Sequence, residues 1–219
     1  MVDLVFKDRQ EAGRLLAERL VHLKEQNPLV LGLPRGGMPV AAAIADRLGA
    51  PLDVLMVRKI GAPGQPELAI GAVVGGDAPQ LTLNHMIVEA MGISDAFLKQ
   101  EMQKKLAELA ERRALYCGQQ PPLPVTGRTV IVVDDGIATG ATARAAIMGL
   151  KQAHAKYIVL AVPVAPPNTV KALTPSVDEL ICLSQPPDFV AVGLCYADFH
   201  QISDNEVAAL LEVGKQTQT

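Results

Sequence analysis

The feature that most constrains the fold is a run of β-branched residues that passes directly into an acidic, glycine-containing loop. Residues 129–133 read Thr-Val-Ile-Val-Val, and Asp134 and Asp135 follow without a break. A short, wholly apolar run is typical of a strand buried on both faces, as in a parallel sheet. The small residues after the loop predict a helix to about residue 153. The pattern therefore indicates strand, loop and helix, the repeating unit of an α/β protein.

The loop combines two kinds of ligand-binding group. Its backbone N–H groups at residues 138–142 precede a helix, so they lack partners inside that helix and lie at the positive end of its dipole. This position favours a phosphate, and Gly140 lets a ligand approach the backbone closely. Asp134 and Asp135 suit hydroxyl groups or Mg²⁺ instead. A ligand with a sugar diol at one end and a phosphate at the other fits both halves of the loop.

Other phosphate-binding motifs explain this loop less well. A P-loop requires a lysine that the sequence does not have here, and the dinucleotide-binding glycine pattern is absent from the first strand–helix turn. A solvated acidic turn that caps a helix is the simplest structural alternative, but it leaves the following Thr-Gly-Ala-Thr unexplained.

The rest of the chain repeats the alternation. Short apolar runs predict further strands at residues 29–33, 52–57, 157–162 and 177–183, with helical patterns between them. With 219 residues, the length favours one domain, residues 1–219, with a large core. We expect an α/β fold with a twisted, mostly parallel sheet flanked by helices. The irregular region 61–126 is expected to act as a lid, and residues 184–219 to contribute to a hood.

Residues 130–142, Val-Ile-Val-Val-Asp-Asp-Gly-Ile-Ala-Thr-Gly-Ala-Thr, resemble the signature of the type I phosphoribosyltransferases, which bind 5-phosphoribosyl-1-pyrophosphate (PRPP). Weaker resemblances run from about residue 5 to 207. The resemblance implies that Asp134 and Asp135 are catalytic and hold the ribose hydroxyls, directly or through Mg²⁺. It implies that the 5′-phosphate is bound by Ala138, Thr139, Gly140, Ala141 and Thr142.

Two basic segments are similar to the pyrophosphate-binding parts of that family. Arg35, Gly36 and Gly37 follow the first core strand and combine a cation with exposed backbone N–H groups. Arg58 and Lys59 are expected at the end of the second strand, on the same sheet edge, with Lys59 preferred as a catalytic residue. The alternatives are a glycine turn with a solvent-exposed arginine, and plain surface charges.

Two further assignments follow from the resemblance. Residues 61–67 resemble a flexible loop that closes over the active site, and its single acid, Glu67, is a candidate proton carrier. Ile137, Phe189 and Val190 are candidate base-binding residues. An exposed glutamate and a core phenylalanine are the competing interpretations of Glu67 and Phe189.

The sequence therefore predicts a phosphoribosyltransferase that uses PRPP and Mg²⁺ to ribosylate a purine or pyrimidine base. Ala138 occupies a position where enzymes for 6-oxopurines carry an aspartate, so the acceptor base stays open. The alternative is a regulator that binds PRPP and contacts RNA, DNA or protein without catalysis. A net charge of −3 argues against a broad nucleic-acid surface. We expect a cytoplasmic protein without membrane segments, and relatives suggest a homodimer.

Overall fold

The computed structural model describes residues 6–216, except for the side chains at positions 66, 67, 215 and 216. Within this range the strands are β1 (Leu29–Gly32), β2 (Leu52–Val54), β3 (Val57–Ala62), β4 (Gln65–Val74), β5 (Gln80–Leu83), β6 (Thr129–Val133), β7 (Tyr157–Val164) and β8 (Glu179–Ser184). The α-helices are α1 (Arg9–Leu20), α2 (Gly37–Leu48), α3 (His85–Ala90), α4 (Asp95–Cys117), α5 (Ala141–Gln152), α6 (Pro167–Leu173) and α7 (Asp204–Gln216). Short 3-10 turns cover Val21–Gln26, Thr174–Ser176 and Val192–Cys195.

Five strands form the main sheet in the order β2-β1-β6-β7-β8, and every neighbouring pair is parallel. In its centre Leu31 of β1 lies opposite Val132 of β6 on one side and Asp53 of β2 on the other. Helices cover both faces. This arrangement confirms the predicted α/β fold with a mostly parallel sheet.

Side chains on the main sheet alternate between two apolar cores. Val30 and Ile131 point into the core shared with α1, α2, α4 and α7. Leu31 and Val132 point into the opposite core, which α5 and α6 complete. Because both faces are covered, β1 and β6 are apolar at consecutive positions instead of every second one.

The chain leaves the centre of the main sheet in two directions. From β1 it passes through α2 to β2 on one side, and from β6 it passes through α5 to β7 on the other. Such a reversal opens a crevice at the carboxyl ends of the two central strands, where open α/β sheets bind ligands. Both predicted ligand-binding loops lie at this point.

A second sheet corrects the prediction for residues 61–67. These residues are not a long loop: β3 and β4 pair as an antiparallel hairpin, and β5 completes a three-stranded sheet, here called the hairpin sheet. Gly64 turns the hairpin with a φ of 72°, and Gly61 lies at a register shift that is typical of a β-bulge. The glycines that predicted a loop therefore serve the turn and the bulge.

Helix α4 attaches the hairpin sheet to the main sheet. It begins after the N-cap Ser94, whose hydroxyl accepts a hydrogen bond from the Phe97 amide. Near its end, Arg113 forms a bidentate ion pair with the buried Asp53 of β2, at 2.9 and 3.0 Å. None of the helices in residues 6–216 is long and apolar enough to cross a membrane.

Candidate functional site

Two loops meet at the crevice: the glycine loop (residues 33–37) after β1 and the acidic pair (Asp134 and Asp135) after β6. The Leu33 amide donates to the Val133 carbonyl over 2.8 Å. A Cβ on Gly37 would lie 2.6 Å from that same carbonyl oxygen, and a Cβ on Gly36 would overlap the Asp135 carboxylate. Only glycine therefore allows the two loops to lie this close together.

The two carboxylates of the acidic pair are held in different ways. Asp134 Oδ1 accepts a hydrogen bond from the Asp135 amide at 2.9 Å. Burial, followed by the negative charge of Asp135, raises the pKa of Asp134 well above its ordinary value. Asp135 Oδ2 forms an ion pair with Arg9 at 2.8 Å. The pair is therefore fixed, and both residues are partly buried, with the Asp135 side chain 14% exposed.

The phosphate loop (residues 136–142) is anchored by two neighbouring residues near its start. The Ile137 amide donates to the Val164 carbonyl of β7 at 2.9 Å, and the Thr169 hydroxyl donates to the Ala138 carbonyl at 2.8 Å. Gly140, with a φ of 75°, is the N-cap of α5. These contacts shape the turn that carries the predicted 5′-phosphate-binding residues.

The amides of this turn are available to a hydrogen-bond acceptor from outside the chain. Within residues 6–216, the N–H groups of residues 138–142 donate to no backbone or side-chain atom. Ala138, Thr139, Ala141 and Thr142 are exposed, whereas Gly140 is buried beneath them. Free donors at the first turn of a helix favour an anion.

The glycine loop also carries the predicted cation. Arg35 is one-third exposed, and its guanidinium lies 4.0 Å from Asp204 at the start of α7. The Pro34–Arg35 peptide bond is cis. Arg112 of α4 shares the same carboxylate at 3.4 Å.

Arg58 and Lys59 are not at the end of the second main-sheet strand, as the sequence predicted. Strand β2 ends at Val54, and both residues lie in β3, opposite Val73 and Ala72 of β4. Their side chains therefore alternate across the hairpin sheet. The short link from β2 still keeps Arg58 within about 14 Å of the end of that strand, the longest span of four residues.

The predicted base-binding residues differ in exposure. Ile137 is 4% exposed and packs into the core beneath the phosphate loop. Phe189 is half-buried against a small cluster that includes Phe6 and Tyr196, and Val190 is 80% exposed. The side chain of Glu67, the candidate proton carrier, lies outside the described residues.

Two residues at the site had no signal in the sequence. Thr169 supports the phosphate loop from α6, and Arg9 binds the Asp135 carboxylate. Tyr196, which follows the predicted base-binding residues closely in the sequence, donates its hydroxyl proton to the Asp135 carbonyl. Arg9 follows a helix N-cap, where an arginine normally lies in solvent. Its contact with Asp135 joins residues 126 positions apart, which no local pattern indicates.

The donor set suits a magnesium ion that arrives with its ligand. Carboxylate oxygens are the protein ligands that Mg²⁺ prefers, and one or two of them commonly share the ion with substrate phosphates. Residues 6–216 contain no group of three or more metal-binding side chains. Asp134 and Asp135 could thus supply part of a coordination shell, and the remaining oxygens would come from the ligand and water.

The fold and the site define an α/β protein with a ligand crevice at the switch point of a parallel sheet. The phosphoribosyl transferase domain family matches residues 6–200. "Putative phosphoribosyl transferase Rv0571c" of Mycobacterium tuberculosis H37Rv is 46% identical over 208 residues, which cover 95% of this chain and 46% of that protein. The same figures hold for "Putative phosphoribosyl transferase MT0597" of strain CDC 1551 / Oshkosh.

A solved structure is similar over nearly the whole chain. TT1426 from Thermus thermophilus is 44% identical, with a TM-score of 0.83, over 94% of this chain and 97% of that one. The chain belongs to the phosphoribosyl transferase family. It spans about half the length of the curated mycobacterial relatives.

Proposed function

We propose that this protein is a phosphoribosyltransferase that uses PRPP and Mg²⁺ to attach ribose 5-phosphate to a nitrogen base and releases pyrophosphate. One observation carries the proposal: the acidic pair lies between two loops of small residues, the glycine loop on one side and the phosphate loop on the other. PRPP has the matching order of groups, with pyrophosphate and 5′-phosphate on opposite sides of a ribose diol.

The proposed ligand position follows from charge and hydrogen-bonding sense. The free amides of residues 138–142, with the hydroxyls of Thr139 and Thr142, would bind the 5′-phosphate. Asp134 and Asp135 would accept hydrogen bonds from the ribose hydroxyls. Arg35 and the amide of Gly36 would bind the pyrophosphate, with Arg58 or Lys59 approaching from the hairpin sheet. Gly37 was predicted to contribute its amide as well, but that amide donates to the Leu33 carbonyl at 3.0 Å.

In the proposed reaction, the bond between ribose C1 and the pyrophosphate oxygen breaks, and a bond from C1 to the base nitrogen forms. The bonding electron pair leaves with pyrophosphate, so Arg35 and Lys59 would stabilise the developing negative charge. The acidic pair would stabilise positive charge on the ring and fix the sugar. Bound Mg²⁺ would supply additional charge neutralisation at the leaving group.

The acceptor base would lie beside Ile137, Phe189 and Val190. Ala138 offers no carboxylate to take the proton from the attacking nitrogen, so that proton would leave to Glu67 or to solvent.

We also propose that region 61–126 covers the crevice during the reaction and excludes water. This region comprises most of the hairpin sheet with α3 and α4. Residues 184–219 would complete the hood over the base.

The contacts of α4 weigh against the alternative of a PRPP-sensing regulator with a basic helix. Three of its basic residues are used inside the chain: Lys105 pairs with Glu108, Arg112 with Asp204, and Arg113 with Asp53. Lys99 and Lys104 remain exposed. Two exposed lysines are few for a nucleic-acid surface, which needs several phosphate contacts.

The decisive experiment measures pyrophosphate release from PRPP and Mg²⁺ with a panel of purine and pyrimidine bases. We expect release with at least one base. Tight binding of PRPP without release from any base would support the regulator. Failure to bind PRPP at all would contradict both functions.

Two further measurements address the other predictions. Light scattering of the same sample would test the predicted homodimer, and fractionation of cells would test the predicted cytoplasmic location.

A variant of the acidic pair tests the site itself. Asp135→Asn keeps the shape of the side chain but removes the charge that the ribose hydroxyls and Arg9 contact. We expect PRPP affinity by calorimetry to fall by about 10-fold to 100-fold, since charged hydrogen bonds contribute roughly 1.5–3 kcal/mol. Asp46→Asn, at an exposed position near the end of α2, is the matched control and should bind PRPP like the parent. Equal affinity in both variants would place PRPP elsewhere.

A further inference from the structure

Arg9 is a buried cation directly beside the acidic pair. It is the first residue of α1, and its side chain is only 7% exposed. Its Nε donates to Asp135 Oδ2 at 2.8 Å, and the Asp135 side chain is 14% exposed. A buried charge requires a partner, and here the partner is one of the two acids assigned to the ligand.

The other contacts of Arg9 fix its position. Its Nη1 donates to the carbonyl oxygen of His200 at 2.8 Å. The guanidinium carbon lies 3.8 Å from the centre of the Phe199 ring and 5.9 Å from that of Tyr196. Tyr196 in turn donates its hydroxyl proton to the backbone carbonyl of Asp135. One aromatic and cationic cluster therefore holds both the side chain and the backbone of Asp135.

The cluster makes the two acids unequal toward ligands. Asp135 Oδ2 is occupied by Arg9, and the Gly36 backbone packs against the same carboxylate. A second cation at this carboxylate would be repelled by the guanidinium, whereas a neutral hydroxyl would not. Asp134 Oδ1 accepts a hydrogen bond from the Asp135 amide. Among the described residues Asp134 forms no ion pair, and Arg9 acts on it only at longer range, as the weakest of the influences on its pKa.

We propose that Arg9 is a positioning residue that assigns Asp135 to the sugar hydroxyls and excludes a metal ion from it. The inference rests on the proposed function and deepens it, because it divides the work of the acidic pair. Asp135 contacts the ribose through its remaining oxygen. A divalent ion is left to Asp134 and to the phosphates of the ligand.

The test is the variant Arg9→Met, for which we expect the affinity for PRPP to fall and the affinity for Mn²⁺ to rise. Calorimetry with PRPP and Mg²⁺ should show at least about tenfold weaker binding, because Asp135 is no longer held. Electron paramagnetic resonance with Mn²⁺ alone should show about tenfold tighter binding, because the repelling cation is gone. A purely structural role for Arg9 predicts no gain in Mn²⁺ affinity.

Arg47→Met is the control, since Arg47 also pairs with a carboxylate, that of Glu18 at 2.7 Å, but near the end of α2 that is remote from the glycine loop. Both affinities of this variant should stay within about twofold of the parent. If Arg9→Met does not fold, Arg9→Gln serves instead: it removes the charge but keeps a hydrogen-bond donor, so it should bind PRPP more weakly and still gain Mn²⁺ affinity.

Several results would overturn the inference. These are unchanged PRPP affinity in the Arg9 variants, or Mn²⁺ affinity of Arg9→Met that stays at the parent level. The double variant Arg9→Met with Asp135→Asn should bind PRPP no more weakly than Asp135→Asn alone, so additive losses would also contradict it. If the parent protein itself does not bind PRPP, the proposed function fails first, and that result is recognisable without any variant.

Discussion

The three main-sheet strands that lead to the crevice are buried far more completely than β3 and β5 of the hairpin sheet, although the edge strand β8 is only half-buried. In the main sheet, β1, β2 and β6 are buried at every position. In the hairpin sheet, β3 is buried only at Ile60 and Ala62, and β5 only at Thr82. A strand enclosed on both sides fixes the loop that follows it, whereas a half-exposed sheet opens locally at lower cost. The difference indicates which site residues are rigid and which can move.

The proposed ligand contacts divide along the same line. The glycine loop, the acidic pair and the phosphate loop all extend from β1 and β6. Arg58, Lys59 and Glu67 belong to the hairpin sheet. Rigid loops suit the groups that must hold PRPP in one geometry, so we call the main sheet with these loops the rigid layer. The hairpin sheet forms a second, less enclosed layer, which suits groups that act when the site closes. The connection between the two layers is therefore the first place to test the comparison.

The largest effect is expected when the two layers lose their buried ion pair. Arg113 of α4 and Asp53 of β2 have side chains that are 14% and 6% exposed. Arg113→Met leaves the Asp53 carboxylate buried with two donors from the described part of the chain, the amides of Val54 and Leu123. Removing one partner of a buried pair costs about 3–5 kcal/mol. We expect that loss in the free energy of unfolding, measured by urea denaturation.

The double variant Arg113→Met with Asp53→Asn is the control, because it removes both charges. It should recover part of the lost stability, since an uncompensated buried charge is worse than a neutral pair. If the layers are coupled as described, hydrogen exchange in Arg113→Met should increase more in β3–β5 than in β1 and β6. Uniform acceleration in both sheets would contradict the division into layers.

The second prediction compares one glycine from each layer. A Cβ at Gly37 would meet the backbone of β6, 2.6 Å from the Val133 oxygen. Gly64, in the β3–β4 turn, has open space around it but a φ of 72°. Gly37→Ala should cost about 1–3 kcal/mol through overpacking. Gly64→Ala should cost about 1–2 kcal/mol through its left-handed backbone.

The two glycine variants should differ in ligand binding more than in stability. Gly37→Ala moves the glycine loop away from the acidic pair, so PRPP affinity should fall by at least about tenfold. Gly64→Ala should leave PRPP affinity within about twofold, because the turn lies on the other layer. Calorimetry measures both, and equal losses would mean that the hairpin sheet shapes the resting site.

The sequence predicted the rigid layer better than the other one. Apolar runs at β1 and β6, followed by Gly36-Gly37 and by Asp134-Asp135, are local patterns, and parallel topology brings their ends together. The hairpin sheet was misjudged at residues 61–67 because glycine and proline indicate a loop in general, while here glycine serves a turn and a bulge. Arg9 could not be found at all, since its partners Asp135, Phe199 and His200 meet it only in the fold.

The smallest effect on stability is expected from an exposed cluster of charges around His200. His200 is exposed and lies 3.3 Å from Asp198 and 3.2 Å from Glu206. Hydrogen bonds to Glu206 and then Asp198 raise the pKa of His200 above its ordinary 6.5. Hydrogen bonds from the backbone and hydroxyl of Ser203, and then from His200, lower the pKa of Glu206 from 4.5 to about 2.

The signs define a pH window for this cluster. The contribution of His200 is complete below pH 6.5 and is lost as the pH rises through its higher folded pKa. The contribution of Glu206 is complete above pH 4.5 and is lost as the pH falls toward about 2. His200→Gln should therefore lower the melting temperature slightly between pH 4.5 and 6.5, and not at pH 9. High salt should reduce the difference, because exposed pairs are screened. The control is His85→Gln, since His85 lies at the start of α3 and forms no ion pair within residues 6–216. If the melting temperature of His200→Gln falls equally at every pH, packing beside Arg9 matters more than charge.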